Sequence, residues 1–218
     1  RLNLEPIGVA CKSNNILFCV DAIQSLGVFE MDVQKIHADY IMADGHKWLM
    51  SPEGLAIFYV SEHMREQLKL HQYGWHMVEA LGDYDKQGWQ PAHSARRFEC
   101  GSPNMLGIHA LYASLMLIHE ISINKIQASV LSNTDYMLDF IRSSKNLELL
   151  YIYPAVYNSG IVTFRHKNIR NSEIYKFLTE NKIICAIRGG GIRFSPHFYT
   201  PREKIRQALQ FIEEFNAS

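Results

Sequence analysis

Charge of one sign is what this sequence most lacks. Lys plus Arg and Asp plus Glu number 22 each, so the 218-residue chain carries zero formal charge. No basic run breaks that balance, so neither nucleic acid nor an anionic membrane is expected as a partner. No apolar stretch reaches the length of a membrane span, and the first residues show no signal-peptide pattern. Cysteine is scarce. The four thiols, Cys11, Cys19, Cys100 and Cys185, have no paired spacing. Cys19 and Cys185 fall inside apolar runs and are expected as buried thiols of a protein in a reducing, cytoplasmic setting. The ten histidines form no H-x-x-x-H pattern, so no metal site is expected.

What is present is a hydrophobic fraction of 47%, enough for one large domain or two small ones. Two short apolar runs stand out because each stops at an ionisable group. Ile16 to Val20 ends at Asp21, and Tyr40 to Ala43 ends at Asp44 and leads to Lys47. A buried strand cannot carry a carboxylate or an ammonium along its length without partners. At its carboxyl end, where open α/β sheets form their ligand crevice, it can. Asp21 and Lys47 are therefore expected to face one cavity from two strand ends. Pyridoxal phosphate suits such a pair, because it needs a lysine amine for its aldehyde and a carboxylate against its ring nitrogen. Gln24 then stands where it can reach the ring hydroxyl. Asp44-Gly45 between apolar runs is also a hairpin-turn signal, and by spacing alone a hairpin with Lys47 as an ordinary surface lysine is the favoured reading.

Elsewhere the pattern alternates strands and helices. Leu2 to Lys12 reads as the tail of a helix, Asp32 to His37 as a short helical link and Leu55 to Val60 as a strand. Ser61 is placed to cap a helix from Glu62 to about Leu70. His71 to Pro91, with Gly74, Gly82 and Gly88, has no period and reads as a loop. Its Tyr73, Trp75 and His76 read as packing under that loop, with a substrate-side place as the alternative. Ser102 and Pro103 look like the cap and first residue of a long helix running to about Ile121, whose amino end is a natural anion site. Asn124 reads as the cap of a helix from Lys125 to about Ser143. Strands are expected at Leu147 to Ile152, Ile161 to His166, Ile183 to Arg188 and Ile192 to Ser195, with a helix from Asn171 or Ser172 to Leu178. Gly189-Gly190-Gly191 precedes a strand, so it reads as a tight turn rather than a phosphate loop. Thr200, Pro201 and Glu203 form a capping-box signature for the last helix. Arg193 sits within an apolar strand, where a guanidinium needs a partner. A bidentate grip on a carboxylate fits its shape, and a structural ion pair or an exposed edge is the alternative.

Val20-Asp21-Ala22-Ile23-Gln24-Ser25-Leu26-Gly27, Ala43-Asp44-Gly45-His46-Lys47-Trp48 and Pro52-Glu53-Gly54 resemble the cofactor-binding core of class V aminotransferases. This fold-type I group includes cysteine desulfurases, selenocysteine lyases and isopenicillin N epimerases. The resemblance continues through Arg97-Phe98-Glu99-Cys100-Gly101-Ser102-Pro103-Asn104 and Gly191-Ile192-Arg193-Phe194-Ser195-Pro196-His197-Phe198-Tyr199, so it covers nearly the whole chain. It implies an α/β fold: part of a PLP-binding large domain with a mixed, mainly parallel sheet over residues 1–123, then a small α/β domain with an antiparallel sheet over 124–218. In that family a large N-terminal portion precedes the motif around Asp21, so the chain is expected to be a C-terminal portion.

The resemblance further implies pyridoxal 5'-phosphate as cofactor, held by Asp21, Gln24, His46, Lys47, Gly101 and Ser102, with Lys47 as the catalytic amine. Arg193 is implied as the ligand of the substrate α-carboxylate, with Arg188 a candidate for the same neighbourhood. A hydroxyl at Ser102 implies a contact with the phosphate of a second subunit, hence a homodimer with shared sites and a small amino acid as substrate. Two departures stand out. The segment Arg188 to Arg193 is too short for the mobile cysteine of desulfurases and contains none, while Cys185 lies where a thiolate is disfavoured. Asp44 stands where desulfurases carry a small hydroxyl residue. An aminotransferase is therefore the first expectation. A lyase or epimerase of the same family, and a catalytically incompetent fragment or an anion-binding α/β module, are the alternatives.

Overall fold

The computed structural model describes residues 1–151, 154 and 158–215. They form two compact units, one of Asn3–Glu120 and one of Ile121–Ser218 together with Arg1–Leu2. No single helix among the described residues is long and apolar enough to cross a membrane.

The first unit is built on a three-stranded mixed sheet in the order β1-β2-β3, with β1 Cys19–Asp21, β2 Tyr40–Asp44 and β3 Ala56–Val60. β1 runs parallel to β2, with Asp21 opposite Met42, and β3 runs antiparallel to β2. Central β2 is apolar on both faces, as a strand covered on both sides must be. Ile41 and Ala43 face a cluster with Val20, Ala22, Ile36 and Ala38. Tyr40 faces another with Val60 and Met64. Helix α1 (Leu4–Ser13) comes close enough to this layer that a Cβ on Gly8 would lie 1.7 Å from the Ile36 carbonyl oxygen. Asp39 fastens the entry to the sheet, since its Oδ2 accepts the Phe18 N–H at 2.8 Å while its own N–H donates to the Phe18 carbonyl at 2.9 Å. Helix α2 spans only Glu62–Arg65, shorter than its sequence suggests, and the Ser61 side chain makes no cap bond. Residues 71–91 contain one 3-10 turn, Trp75–Met77.

Helix α3 (Met105–Ile121) begins later than expected, because Asn104 and not Ser102 caps it: Asn104 Oδ1 accepts the Gly107 N–H at 3.0 Å. Cys19 is exposed on β1, not buried as its apolar neighbours suggested, while all four cysteines are free.

The second unit opens with α4 (Ile123–Ser143), which starts at Ser122, so Asn124 lies inside the helix. A four-stranded antiparallel sheet follows in the order β4-β5-β7-β6: β4 Leu147–Leu149, β5 Val162–His166, β6 Ala186–Arg188 and β7 Gly191–Phe194. Ile152, the expected end of the β4 run, lies outside the described residues. Helices α5 (Asn171–Glu180) and α6 (Arg202–Glu214) complete the unit. Val162, Phe164, Ile192 and Phe194 pack with Met137, Ile141, Ile174, Leu178, Leu209 and Ile212 in one core. In β7, Ile192 and Phe194 are buried and Arg193 between them is half-buried, as a sheet covered on one face requires. The last helix has no capping box. Pro201 is its cap, and Glu203 instead pairs with Arg206 and Gln207.

The triple glycine is a two-residue hairpin turn. Arg188 pairs with Gly191, and Gly189 and Gly190 both take positive φ, 60° and 83°, as a type I′ turn demands. The third glycine has another cause: a Cβ at Gly191 would lie 2.3 Å from the Phe164 carbonyl oxygen. Gly191→Ala is therefore expected to cost about 1–3 kcal/mol by overpacking, read as a lower urea midpoint at unchanged slope.

His166 is buried, and its Nδ1 accepts the backbone N–H groups of Asn168 and Ile169 at 3.2 and 3.1 Å. Its proton therefore sits on Nε2, which is buried without a partner among the described residues. Burial pushes the imidazole below its ordinary value, against the attraction of Glu213 and aided by the repulsion of Lys167. The unfolded chain then binds more protons than the folded one as pH falls. This contribution is intact above about pH 6.5 and stability declines below it. His166→Asn, which keeps an acceptor and cannot titrate, is expected to flatten the fall in urea midpoint between about pH 7 and about pH 5.

Candidate active site

Parallel pairing brings the carboxyl ends of β1 and β2 to one end of the first sheet. Asp21 is the last residue of β1, and the ladder continues one residue further, with the Ala22 N–H donating to Met42 at 2.8 Å. Asp21 Oδ1 accepts the Ile23 N–H at 3.0 Å, which fixes the carboxylate at the strand end. Its other oxygen has no hydrogen-bond partner among the described residues. Gln24 follows on the turn of residues 22–29 and is exposed.

β2 ends at Asp44, and Gly45 to Met50 form a compact turn carrying His46 and Lys47. This turn is tied down by backbone bonds: Gly45 donates to Leu55 at 2.9 Å, Ser51 to Gly45 at 2.8 Å and Met50 to Lys47 at 3.0 Å. Ser114 of α3 adds a side-chain bond to the Met50 carbonyl at 3.0 Å. Lys47 is half-buried, and its ammonium has no hydrogen-bond or ion-pair partner among the described residues. The two turns interlock. Gly27, at φ 96°, approaches so closely that a Cβ there would lie 2.6 Å from the Trp48 carbonyl oxygen. A side chain at position 27 would thus push apart the turns that carry Asp21, Gln24 and Lys47.

Asp44 turns toward His46, with Oδ2 3.9 Å from the imidazole Nδ1. Both line an opening of about 380 Å³ together with Glu53 and Gly54. Asn104 Nδ2 donates to the Gly54 carbonyl at 3.2 Å, which joins the Gly101–Asn104 segment to this side of the sheet. Gly101 and Ser102 are exposed on that segment. In the second unit, Arg193 stands on the polar face of its sheet opposite Thr163 and Ala186. Its Nε is buried and has no hydrogen-bond partner among the described residues. Arg188 is exposed at the edge of the glycine turn.

Asp21, Gln24, His46 and Lys47 therefore share one end of one sheet, and Gly101 and Ser102 lie on a segment bonded to it. Arg193 and Arg188 belong to the other unit. Sequence reasoning missed the residues that hold the turns: Gly27 against Trp48, Ser114 on Met50, and Asn104 on both Gly54 and its own helix. Asn104 was open to discovery, as a capping residue type just before an apolar helix. The others depend on contacts between distant segments and leave no local signal.

A profile of the family described as aminotransferase class-V matches residues 2–207. The Bacillus subtilis (strain 168) protein named "Uncharacterized aminotransferase YcbU" is 30% identical over 96% of this chain and 54% of its own length. A probable cysteine desulfurase of Pyrococcus abyssi is 28% identical, over 97% of this chain and 55% of its own length. The apo structure of a cysteine desulfurase from Thermococcus onnurineus superposes with a TM-score of 0.87 at 24% identity, over 97% of this chain and 55% of that one, a likeness of fold. The chain thus spans about half the length of the curated relatives it matches. With two interlocked strand-end turns bearing the carboxylate and the amine, and a match over nearly all its residues, the chain belongs to the class V aminotransferase family.

Proposed function

We propose that this chain is the C-terminal part of a pyridoxal-phosphate enzyme acting on an amino acid, and that the enzyme is an aminotransferase. The observation that carries the reading is the half-buried, unpaired Lys47 on a turn locked to the Asp21 turn. The residues present fit the cofactor, since an uncommitted amine and a half-committed carboxylate stand at the ends of adjacent parallel strands. When bound, the cofactor supplies an electron sink for a carbanion at the amino-acid Cα.

Lys47 would hold the cofactor through its amine and would serve as base and then acid for the substrate Cα proton. Asp21 would hold the ring nitrogen with its carboxylate and keep it protonated. Gln24 would hold the ring oxygen, and His46, Gly101 and Ser102 would hold the phosphate. Arg193 takes the substrate carboxylate, a role supported by its buried and unsatisfied Nε. Arg188 is a weaker candidate for the same carboxylate. In the homodimer, Ser102 serves the phosphate of the second subunit. The exposed apolar side chains that follow it on α3, Leu106, Tyr112 and Met116, support a covered rather than a wetted helix.

Aminotransferase is preferred to desulfurase for two reasons. The β6–β7 turn has two residues, both glycine, and offers no thiol. Burial pushes the Cys185 thiol up, which disfavours the thiolate a persulfide needs. Elimination and epimerisation remain alternatives on the same residues.

The test is to incubate the chain with pyridoxal phosphate, reduce with borohydride and map the adduct by peptide mass. Label on the Lys47 peptide, lost in Lys47→Ala, is the expected result. Asp21→Asn is expected to weaken the bound cofactor's characteristic absorbance by about tenfold in apparent affinity, the loss of one charge-assisted contact. A chain that stays folded and takes no label at Lys47 overturns the reading.

A further inference from the structure

The turn that carries Lys47 contains a backbone conformation its sequence does not favour. Among the described residues, those other than glycine with positive φ are Asn15, His37, Met50, Ser122 and Lys182. Met50, at φ 58°, ends the lysine turn. Glycine suits this left-handed region because it lacks a Cβ, and asparagine because its short amide bonds locally. Methionine has neither advantage, so its surroundings must hold it there.

Three hydrogen bonds meet at this residue or beside it. The Met50 N–H donates to the Lys47 carbonyl at 3.0 Å, closing a four-residue turn, and the Ser51 N–H donates to Gly45 at 2.8 Å. Both lie within the segment and move with it. The third comes from α3, 64 residues further on: the Met50 carbonyl accepts the Ser114 hydroxyl at 3.0 Å. That hydroxyl also lies 3.2 Å from the Ala110 carbonyl, the bond a helical serine makes to its own preceding turn. One proton is thus shared between helix and turn, and the helix sets its direction. α3 is a firm base for this, since Asn104 at its start donates to the Gly54 carbonyl beyond the same turn. The Trp48 carbonyl rests on Gly27, and the Met50 carbonyl on Ser114. The Lys47 ammonium between them has no hydrogen-bond or ion-pair partner among the described residues, so the backbone of the turn is what aims it.

We propose that Ser114 is a positioning residue for Lys47: its hydroxyl holds Met50 in the left-handed region and thereby fixes the direction in which the amine leaves the turn. The role rests on the reading of Lys47 as the amine that holds the cofactor. The opening of the turn itself is measurable without any cofactor.

The test is competitive labelling of the chain by trace acetic anhydride at about pH 8, below the ordinary lysine value. Peptide masses give the labelling of Lys47 relative to Lys125, which is exposed on α4 of the other unit. In Ser114→Ala the open turn gains population by about two- to tenfold, the net worth of one hydrogen bond, and the half-buried Lys47 is expected to label faster by that factor. Alanine is the best helix former, so α3 persists, as circular dichroism checks. Met50→Gly is the independent arm, because glycine takes positive φ unaided. Added to Ser114→Ala, it is expected to return Lys47 labelling to within about twofold of the parent chain. A merely structural loss would lower the urea midpoint and leave the labelling ratio of the folded chain unmoved. Pyridoxal phosphate trapped at Lys47 by borohydride is the second readout, its apparent affinity weaker by about two- to tenfold in Ser114→Ala and recovered in the double variant. An unchanged ratio in folded Ser114→Ala, or a raised one that Met50→Gly does not lower, overturns the role of Ser114. If the ratio moves as expected and Lys47 of the parent chain takes no cofactor, the functional reading fails while the hold of Ser114 on the amine stands. If Lys47 takes cofactor and the ratio does not move, only the role of Ser114 fails.

Discussion

Parallel pairing of β1 with β2 is the constraint on which the site rests. In an antiparallel pair the carboxyl ends point opposite ways, and Asp21 and Lys47 would stand at opposite edges. With Cys19 beside Tyr40 and Asp21 beside Met42, both chains leave the sheet on the same side, within one strand spacing. Leu55, just before antiparallel β3, anchors the Gly45 end of the lysine turn with its carbonyl. Apolar strand bodies with polar ends follow from burial alone: the peptide groups are satisfied along the ladder, and charge is tolerated only where the ladder stops.

Close backbone approach is the second recurring device. Gly8 against Ile36, Gly27 against Trp48 and Gly74 against Cys100 each allow one segment to rest directly on another's carbonyl. Any side chain at these positions meets backbone, which cannot swing aside as a flexible side chain does. The consequence is positional. The Lys47 turn is held by hydrogen bonds to Leu55 and from α3 and by the Gly27 contact, so the amine's location depends on three segments apart in sequence.

Elements with a strong local cause were legible. Alternation marked β5 and β7, the apolar stripes marked α4 and α6, and Gly189-Gly190 marked a turn whose positive φ angles suit glycine alone. Asp21 was legible as a strand end because an ionisable group ending an apolar run has few places to go, whereas Lys47 was singled out by the family resemblance and not by spacing. Helix starts were not. Ser102, Ser61 and Thr200 are good capping residues by type, yet Asn104 caps α3, Ser61 makes no cap bond and Pro201 begins α6. Capping residues are interchangeable in sequence, and tertiary contact decides among them. For Asn104 that contact is the simultaneous bond to Gly54. Cys19 misled for a related reason: β1 is an edge strand, and an apolar run does not reveal which of its faces has a neighbour.

Family membership constrains the cofactor end of the site more tightly than it constrains the reaction. The residues proposed for ring and amine, Asp21 and Lys47, stand at strand ends that the sheet holds in place. In the proposed enzyme, bond selection at Cα depends instead on groups carried by loops. Here the β6–β7 connection is closed to two glycines by the register of Arg188 on Gly191, while Gly191 itself is pressed against Phe164. A longer, cysteine-bearing segment at that place would have to break this pairing before it could reach any substrate. The hairpin is therefore a chemical statement as well as a structural one, and it is the local feature that most favours transamination over sulfur transfer in the proposed enzyme.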